Sequence, residues 1–275
     1  PKISFLSSKK KSDYNKNMEG ILNNGKKIIG VVSAKGGVGK TTTVINIGAA
    51  AANMFKKSVL ILDTNLNSGN LGLNLGLTYH PISLYNIMKD PLSILHSVHK
   101  HKTGLHVIPS SLVHDTRKIN PALLKKKLKS LSNYDLILLD SAPGVGDDAK
   151  ISLKAADALF LIVTPDFPTI GTAIKTIELA KKMKVPVEGV IVNKVRHKRY
   201  EVTRKEIERV LGLPVISMVP DDQAIYEAAA ARMPAVLYRP KADASISYKK
   251  LSAHIFGKRI QSGNFFNNFL NAFRI

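Results

Sequence analysis

A glycine-rich segment near the start of the chain has the residue types needed to bind a phosphate chain. The apolar run Ile28 to Ser33 precedes the sequence Lys-Gly-Gly-Val-Gly-Lys-Thr-Thr at residues 35–42, and a helical pattern follows. Glycines let backbone N–H groups wrap around a phosphate, and a helix N-terminus adds positive potential. In such a loop Lys40 contacts the β- and γ-phosphates and the Thr41 hydroxyl binds magnesium. The segment predicts a P-loop site for ATP and Mg²⁺, formed by Gly36, Gly37, Val38, Gly39, Lys40, Thr41 and Thr42.

Short apolar runs alternate with helical patterns along the rest of the chain. The apolar runs cover residues 28–33, 59–63, 105–108, 136–140, 159–164, 187–193 and 215–219. The helical patterns cover residues 42–54, 121–131, 169–184, 202–211 and 223–231. This alternation predicts an α/β fold with a single doubly wound, mostly parallel sheet that is flanked by helices. Ligands of such folds bind at the carboxyl ends of the strands, where the glycine-rich segment begins.

Composition excludes several classes of protein. The chain has 275 residues, 44% of them hydrophobic, which is enough for a large core. It has no cysteine, so disulfide scaffolds, thiolate metal sites and cysteine nucleophiles are excluded. We see neither a membrane-spanning apolar run nor a signal peptide, and expect a cytoplasmic protein. The net charge of +21 indicates a polyanionic partner, either nucleic acid or an anionic membrane, unless the basic surface is only solvated.

Three parts can be distinguished along the chain. Residues 1–25 are rich in lysine, serine and asparagine and predict a basic flexible arm. Residues 26–258 contain all the alternating elements and predict the P-loop ATPase domain. Residues 259–275 predict a C-terminal amphipathic helix, because five large apolar side chains share one helical face: Phe265, Phe266, Phe269, Leu270 and Phe273.

The form of the loop resembles a known family. With Lys35 at its start, it is similar to the deviant Walker A loop of the MinD/ParA family of ATPases. The resemblance extends over roughly residues 27–256. It implies that ATP joins two copies of the chain in a homodimer, in which Lys35 reaches the nucleotide held by the other copy, as an arginine finger does.

Later segments carry the same resemblance. Asp63 ends an apolar run in a segment similar to the family's switch I, and Asp140 ends one that resembles its Walker B strand. The resemblance implies magnesium binding by Thr41, Asp63 and Asp140, with Asp140 acting through water. Asn193 stands where family members read adenine, and Pro220 and Asp221 lie in a loop that resembles the one beside the base. Taken singly, an Asp at a strand end is more often a helix cap or turn former.

The identity of the base follows from the residues after Asn193. An Asn-Lys pair also occurs in guanine-binding loops, which place an Asp two residues after the Lys to accept from the guanine amino group. In this chain the corresponding residue is Arg196. The sequence therefore predicts adenine.

One position departs from the family pattern. Members have Asp-x-Asp in switch I, whereas this chain has Asp63-Thr64-Asn65. The amide of Asn65 can hydrogen-bond the attacking water but cannot accept its proton, so we predict slow hydrolysis. Asn65 is either a natural difference or a substitution that traps the ATP dimer. The alternative is normal turnover, with the water positioned by backbone groups and Asp63. Lys35, Lys40, Asp63 and Asn65 are the candidate catalytic residues.

Three functions remain open. The phenylalanine-rich helix resembles the membrane-targeting helix of the MinD branch and predicts an ATP-dependent switch on the inner face of the cell membrane, which positions division, motility or surface machinery. Packing of the helix on the body or on a second subunit is the alternative. The second function is a ParA-like partition ATPase that binds DNA through basic runs at 125–127, 181–182 and 196–199. The third is a catalytically slow scaffold. The resemblance also implies a protein partner that activates hydrolysis.

Overall fold

Eight strands form one sheet, in which every neighbouring pair except β3 and β4 is parallel. The computed structural model describes residues 27–66, 69–77, 84–89, 93–110 and 119–258. Within them the strands are β1 (Lys27–Val32), β2 (Val59–Asp63), β3 (His99–Lys100), β4 (His106–Ile108), β5 (Leu136–Asp140), β6 (Ala158–Val163), β7 (Val187–Val195) and β8 (Val215–Pro220). Their order across the sheet is β3-β4-β2-β5-β1-β6-β7-β8.

Helices cover both faces of this sheet. They are α1 (Lys40–Met54), α2 (Leu71–Asn74), α3 (Leu84–Lys89), α4 (Ser93–His96), α5 (Pro121–Ser130), α6 (Asp147–Ala155), α7 (Phe167–Lys182), α8 (Arg204–Leu211), α9 (Gln223–Ala230), α10 (Ala235–Tyr238) and α11 (Asp243–Ile255). One apolar cluster joins the sheet to α5, α6, α7 and α8. A second joins its other face to α1, α10 and α11. The predicted doubly wound fold is confirmed.

The central strands are buried on both faces, which is why they appear as continuous apolar runs. Every residue of β2, β5 and β6 is buried. All seven predicted strands are present, with ends that differ by no more than two residues from those expected. Strand β3 was not predicted, because a strand of two residues leaves no periodicity in the sequence.

The five predicted helices are present, but one boundary was wrong and six helices of the described chain were missed, four of them only four to six residues long: α2, α3, α4 and α10. The predicted helix at 202–211 begins instead at Arg204, because Thr203 and Glu206 form a reciprocal capping box. Helix α6 was missed within a Gly- and Asp-rich stretch. Helix α11 was missed because buried polar residues, Tyr248 and Lys249, interrupt its apolar pattern.

The predicted arm at 1–25 and the predicted helix at 259–275 lie outside the described residues. The phenylalanines and Leu270 assigned to membrane contact are among them. Within the described ranges, no helix has both the length and the apolar character needed to span a membrane.

Candidate nucleotide-binding site

The glycine-rich segment connects β1 to α1 at the carboxyl edge of the sheet. Gly37 and Gly39 have φ angles of 76° and 97°, in the left-handed region that glycine adopts readily. Gly39 also lies against the end of β7, since a Cβ atom there would be 2.1 Å from Nδ2 of Asn193. The loop therefore needs glycine at position 39 for both its backbone angle and its close packing.

The loop lysine is held inside the turn. Nζ of Lys40 donates to Oγ of Ser33 at 2.8 Å, and that hydroxyl donates to the carbonyl oxygen of Lys35 at 2.6 Å. Burial lowers the pKa of Lys40, and the nearby Asp140 opposes this shift. The sequence analysis did not assign Ser33 to the site. The signal that could have identified it is its position directly between the end of β1 and the glycine-rich loop.

Two carboxylates meet beside the loop. Asp63 and Asp140 are register partners at the ends of β2 and β5. Burial, followed by repulsion from Asp63, raises the pKa of Asp140 to about 8. Burial raises the pKa of Asp63 to about 6, against hydrogen bonds from Asn65, Leu71 and Ser110. Two adjacent buried carboxylates form an environment that favours a cation.

The donor set around Asp140 fits a magnesium ion. The Thr41 hydroxyl donates to Oδ2 of Asp140 at 2.6 Å, which places both expected magnesium-binding groups together. Oδ1 of Asp140 and Oγ of Ser141 are buried and have no hydrogen-bond partner within the described chain. Hard oxygen donors with spare acceptor capacity suit Mg²⁺, which also binds phosphate oxygens and water.

Asp63 holds the switch segment rather than facing the cavity. Its side chain is fully buried. It accepts hydrogen bonds from the backbone N–H groups of Asn65 at 2.9 Å and Leu71 at 3.2 Å, and from the Ser110 hydroxyl at 3.3 Å. In this conformation Asp63 positions the backbone of Asn65. Its predicted role in magnesium binding stays a prediction.

One cavity of about 410 Å³ joins most of the predicted site residues. At its phosphate end it is lined by Gly36, Gly37, Gly39, Lys40, Thr41, Thr42, Asn65 and Ser141. At its other end it is lined by Asn193, Pro220, Asp221 and Tyr226. Val38 is buried behind the loop, where its carbonyl accepts from Asn193 at 2.7 Å. The cavity has the size and polarity of a nucleotide site.

The base end contains an ion pair that the sequence did not predict. Nε of Arg196 donates to Oδ2 of Asp221 at 2.7 Å, and the Tyr226 hydroxyl donates to Oδ1 at 2.9 Å. The hydrogen bond from Arg196 is the main cause of the lowered pKa of Asp221. Both carboxylate oxygens of Asp221 are therefore already engaged. The sequence analysis considered Arg196 only as the residue that replaces an Asp of guanine-binding loops, and did not consider it as a partner for Asp221.

Lys35 lies at the rim of the loop. It is half-buried, and its ammonium forms no ion pair with the residues that the structure describes. Burial acts to raise the pKa of Asp166, but hydrogen bonds from Thr164 and Thr169 and the charge of Lys35 together lower it. The two phosphate-loop lysines thus differ, because Lys40 points into the turn and Lys35 stays outside it.

Comparison with known families identifies this arrangement. The CobQ/CobB/MinD/ParA nucleotide binding domain matches residues 29–235. The chain belongs to this family. Members of the MinD/ParA family are ATPases that bind ATP and Mg²⁺. The family membership confirms the relationship expected from the loop at residues 35–42.

Individual MinD/ParA relatives cover most of the chain. An uncharacterized ATP-binding protein of Methanocaldococcus jannaschii is 33% identical over 232 residues, which are 84% of this chain and 88% of the relative. The septum site-determining protein MinD of Thermotoga maritima is 28% identical over 249 residues, 87% of this chain and 91% of the relative.

Solved MinD structures share the fold. MinD of Pyrococcus horikoshii complexed with Mg-ADP has a TM-score of 0.76 and 26% identity, over 84% of this chain and 96% of that one. The MinC:MinD complex of Aquifex aeolicus also gives a TM-score of 0.76 with 26% identity, over 86% and 99% of the two chains.

Proposed function

We propose that this protein is a MinD-like switch that dimerises with ATP, associates with the membrane and positions cellular machinery. The observation that carries the proposal is the placement of the two loop lysines. Lys40 is directed into the phosphate turn, whereas Lys35 lies at its rim without an ion pair in the described chain. A cation placed at the rim in this way is available to a second nucleotide site.

In this proposal the cavity binds ATP with magnesium. The backbone of Gly37 and Gly39 and the side chain of Lys40 hold the phosphates, while Thr41 and Asp140 hold the magnesium ion. Asn193, Pro220 and Asp221 border the base. Magnesium neutralises charge on the phosphates and polarises them. Asp63 fixes the switch segment through its hydrogen bond with the Asn65 backbone.

Dimerisation follows from the position of the nucleotide. The cavity opens at the carboxyl edge, so two copies can enclose their nucleotides between facing edges. Lys35 of each copy would then contact the phosphates in the other. Such a cation stabilises charge that develops during phosphoryl transfer.

Turnover is expected to be slow. Asn65 lines the phosphate end of the cavity, at the position where the family carries a second carboxylate. Its amide can orient a water molecule but cannot take up a proton. Slow hydrolysis would prolong the ATP-bound state, and a protein partner would be needed to shorten it. A MinD relative forms a complex with the protein MinC, which supports a protein partner in general.

Membrane binding is assigned to the helix predicted at residues 264–275. Burial of one large apolar side chain contributes about 1.5 to 3 kcal/mol at most, and partial insertion and helix ordering reduce the sum. A single helix should therefore bind weakly. Two helices on one dimer make the second contact intramolecular, with a gain of about 10²-fold. ATP binding would thus control attachment.

The decisive experiment is sedimentation of the full chain with anionic liposomes, with and without ATP and magnesium. The proposal predicts ATP-dependent pelleting that Phe269→Asp removes while ATP dimerisation persists. If Phe269→Asp dissolves the dimer instead, the helix belongs to the protein interior or to an interface. ATP-dependent, salt-sensitive binding to DNA without liposome binding would favour the partition ATPase.

A further inference from the structure

The amino-terminal edge of the sheet, opposite the nucleotide cavity, collects lysines from many segments. In a doubly wound fold, strand starts and the C-terminal ends of the preceding helices lie at the same edge. Hydrogen bonds between backbone groups join these segments, from Asp135 to Ser58, from Asp157 to Ile28 and from Leu159 to Pro186. The lysines of this basic edge are Lys27, Lys56, Lys57, Lys102, Lys129, Lys154, Lys181, Lys182, Lys184 and Lys258.

Acidic residues only partly balance these charges. The described chain places Asp135, Asp157, Glu178 and Glu188 at or beside the basic edge. Asp135 pairs with Lys57 at 3.1 Å, and Asp157 pairs with Lys125 and Lys129 at 3.0 and 3.5 Å. The remaining lysines leave a clear excess of positive charge. Because neighbouring strands are about 4.8 Å apart, the six strand starts from β4 to β7 spread that charge over roughly 25 Å.

Two of the lysines occupy positions that suit glycine better. Lys56 follows α1 with a φ of 52°, and Lys184 follows α7 with a φ of 56°. Both are exposed. Helices commonly end in a left-handed residue, usually glycine, as at Gly212 after α8 and Gly257 after α11. At positions 56 and 184 the chain instead carries a positive charge in a backbone conformation that is costly for lysine.

Within the described residues, neither nucleotide binding nor the joining of copies at the opposite edge would cover the basic edge. The described chain also ends at this edge, where Lys258 follows α11. Phe256, directly after α11, packs against Phe55. Nζ of Lys57 lies 5.7 Å from the centre of the Phe256 ring. The chain continues from here into the phenylalanine-rich residues 264–275. A membrane has charged headgroups at its surface and acyl chains beneath them. The basic edge suits the headgroups, and the apolar segment that follows it in sequence suits the acyl chains.

We propose that the basic edge is a docking surface for anionic lipid headgroups. This rests on the membrane association proposed above and deepens it, because it assigns the electrostatic part of binding to named residues. Lysines attract anionic lipids when they lie within about one Debye length, roughly 8 Å, of the surface. The edge faces away from the nucleotide, so a single copy can dock through it without ATP. In a dimer joined at the opposite edges the two basic edges face away from each other, and only one of them can lie on a flat membrane. The basic edge provides weak, salt-sensitive attraction that precedes ATP-dependent insertion.

The test uses the full chain carrying Lys56→Gly and Lys184→Gly together. These substitutions remove two charges and place glycine at left-handed positions, so we expect the thermal unfolding temperature to stay the same or rise. Binding to vesicles of phosphatidylcholine with phosphatidylglycerol is measured without nucleotide, at low and high salt. We expect about 10-fold weaker binding at low salt, and a smaller difference at high salt.

Lys198→Ala and Arg199→Ala together are the control. Both residues are exposed and basic, but they follow the carboxyl end of β7 and therefore lie at the edge of the sheet opposite the basic edge. Their substitution should leave vesicle binding within about 2-fold of the unmodified chain, since exposed charges more than one Debye length from the bilayer are screened.

The outcomes separate this inference from the broader proposal. If the Lys56 and Lys184 variant binds vesicles as the unmodified chain does, or if the Lys198 and Arg199 control weakens binding equally, the basic edge is not the lipid surface, although ATP-dependent membrane binding can stand. If the variant loses affinity for duplex DNA and not for vesicles, the edge binds nucleic acid and the lipid assignment is wrong. If the unmodified chain binds no vesicles even with ATP, the proposed function itself fails.

Discussion

The side-chain nitrogen of Asn193 donates a hydrogen bond to the backbone carbonyl of Val38 at 2.7 Å. This contact connects the end of β7 to the phosphate loop. It thereby fixes the position of Asn193, at the base end of the cavity, relative to the loop at the phosphate end. It depends on Gly39, because any side chain at that position would meet the Asn193 amide.

Gly39→Ala is therefore expected to weaken ADP binding at least 10-fold. The added Cβ atom would lie 2.1 Å from Nδ2 of Asn193, and a φ of 97° is unfavourable for alanine by about 1 to 2 kcal/mol. Fluorescent ADP titration measures the effect. Gly171→Ala is the control: it lies in α7 with open space around it, and should bind normally while stabilising the fold by about 0.5 to 1 kcal/mol. Normal ADP binding by Gly39→Ala would contradict the close packing.

Lys35→Ala is expected to keep nucleotide binding but lose the ATP dimer. Lys35 lies outside the phosphate turn, which Lys40 occupies. Light scattering during gel filtration with ATP and magnesium should show a dimer for the unmodified chain and a monomer for the variant. Lys40→Ala is the comparison that should lose nucleotide binding itself. A Lys35→Ala protein that still dimerises would exclude contact of this lysine with the second nucleotide.

Asn65→Asp should raise ATP turnover by about 10-fold or more, the lower range for a positioned acid–base group. The residue already lines the cavity, so the carboxylate would face the same space as the amide. Phosphate release is the measurement, with Asn70→Asp as a control because Asn70 lines the same cavity. Equal rates for the Asn65→Asp variant and the unmodified chain, with membrane present, would place the attacking water elsewhere.

Arg196→Ala should reduce the preference for ATP over GTP about 10-fold. Arg196 and Tyr226 each bind one oxygen of Asp221, and the guanidinium also balances its charge, which makes this carboxylate a weaker acceptor for the guanine amino group. A hydrogen bond to a charged acceptor contributes about 1.5 to 3 kcal/mol, enough for such a change. Competition titrations of the two nucleotides measure it. Arg199→Ala, a nearby exposed substitution, should change nothing, and Arg196→Ala with Asp221→Asn should restore the preference. A ratio unaffected by Arg196→Ala would show that Asp221 does not face the base.

Lys249→Met should stabilise the protein at pH 7 by about 1 to 2 kcal/mol. Burial lowers the pKa of Lys249 to about 8 from its usual 10.5, and its ammonium donates to the carbonyl of Pro240 at 2.7 Å. Below pH 8 both folded and unfolded chains keep the proton, so the full cost of the buried charge applies. Between pH 8 and 10.5 the unfolded chain binds more protons, and the stability of the unmodified protein rises.

The advantage of methionine at position 249 should accordingly shrink between pH 8 and 10. Urea denaturation at the two ends of this range measures the difference. Lys250→Met changes an exposed neighbour and should show neither effect. If Lys249→Met is less stable at pH 7, its hydrogen bond outweighs the burial of its charge.

The nucleotide loop and the central strands were predictable from local patterns. Residues 35–42 combine a strand end, glycines and a helix start, and β5 and β6 are continuous apolar runs. Partners distant in sequence were not predictable in this way. The engagement of Asp221 by Arg196 and Tyr226 depends on how the ends of β7 and β8 meet. The burial of Tyr248 and Lys249 likewise depends on α11 packing against α1, which no periodicity in α11 indicates.

Strand β3 has a consequence for how molecules of this protein meet one another. An open sheet exposes unpaired backbone groups along its outermost strands, and such strands can pair with another chain and aggregate. Among the described strands, the outermost on one side consists of His99 and Lys100 alone, and Lys100 is exposed. Two residues offer too few free N–H and C=O groups for stable pairing, and the lysine adds repulsion between copies. The short antiparallel strand thus limits pairing between molecules at this edge of the sheet.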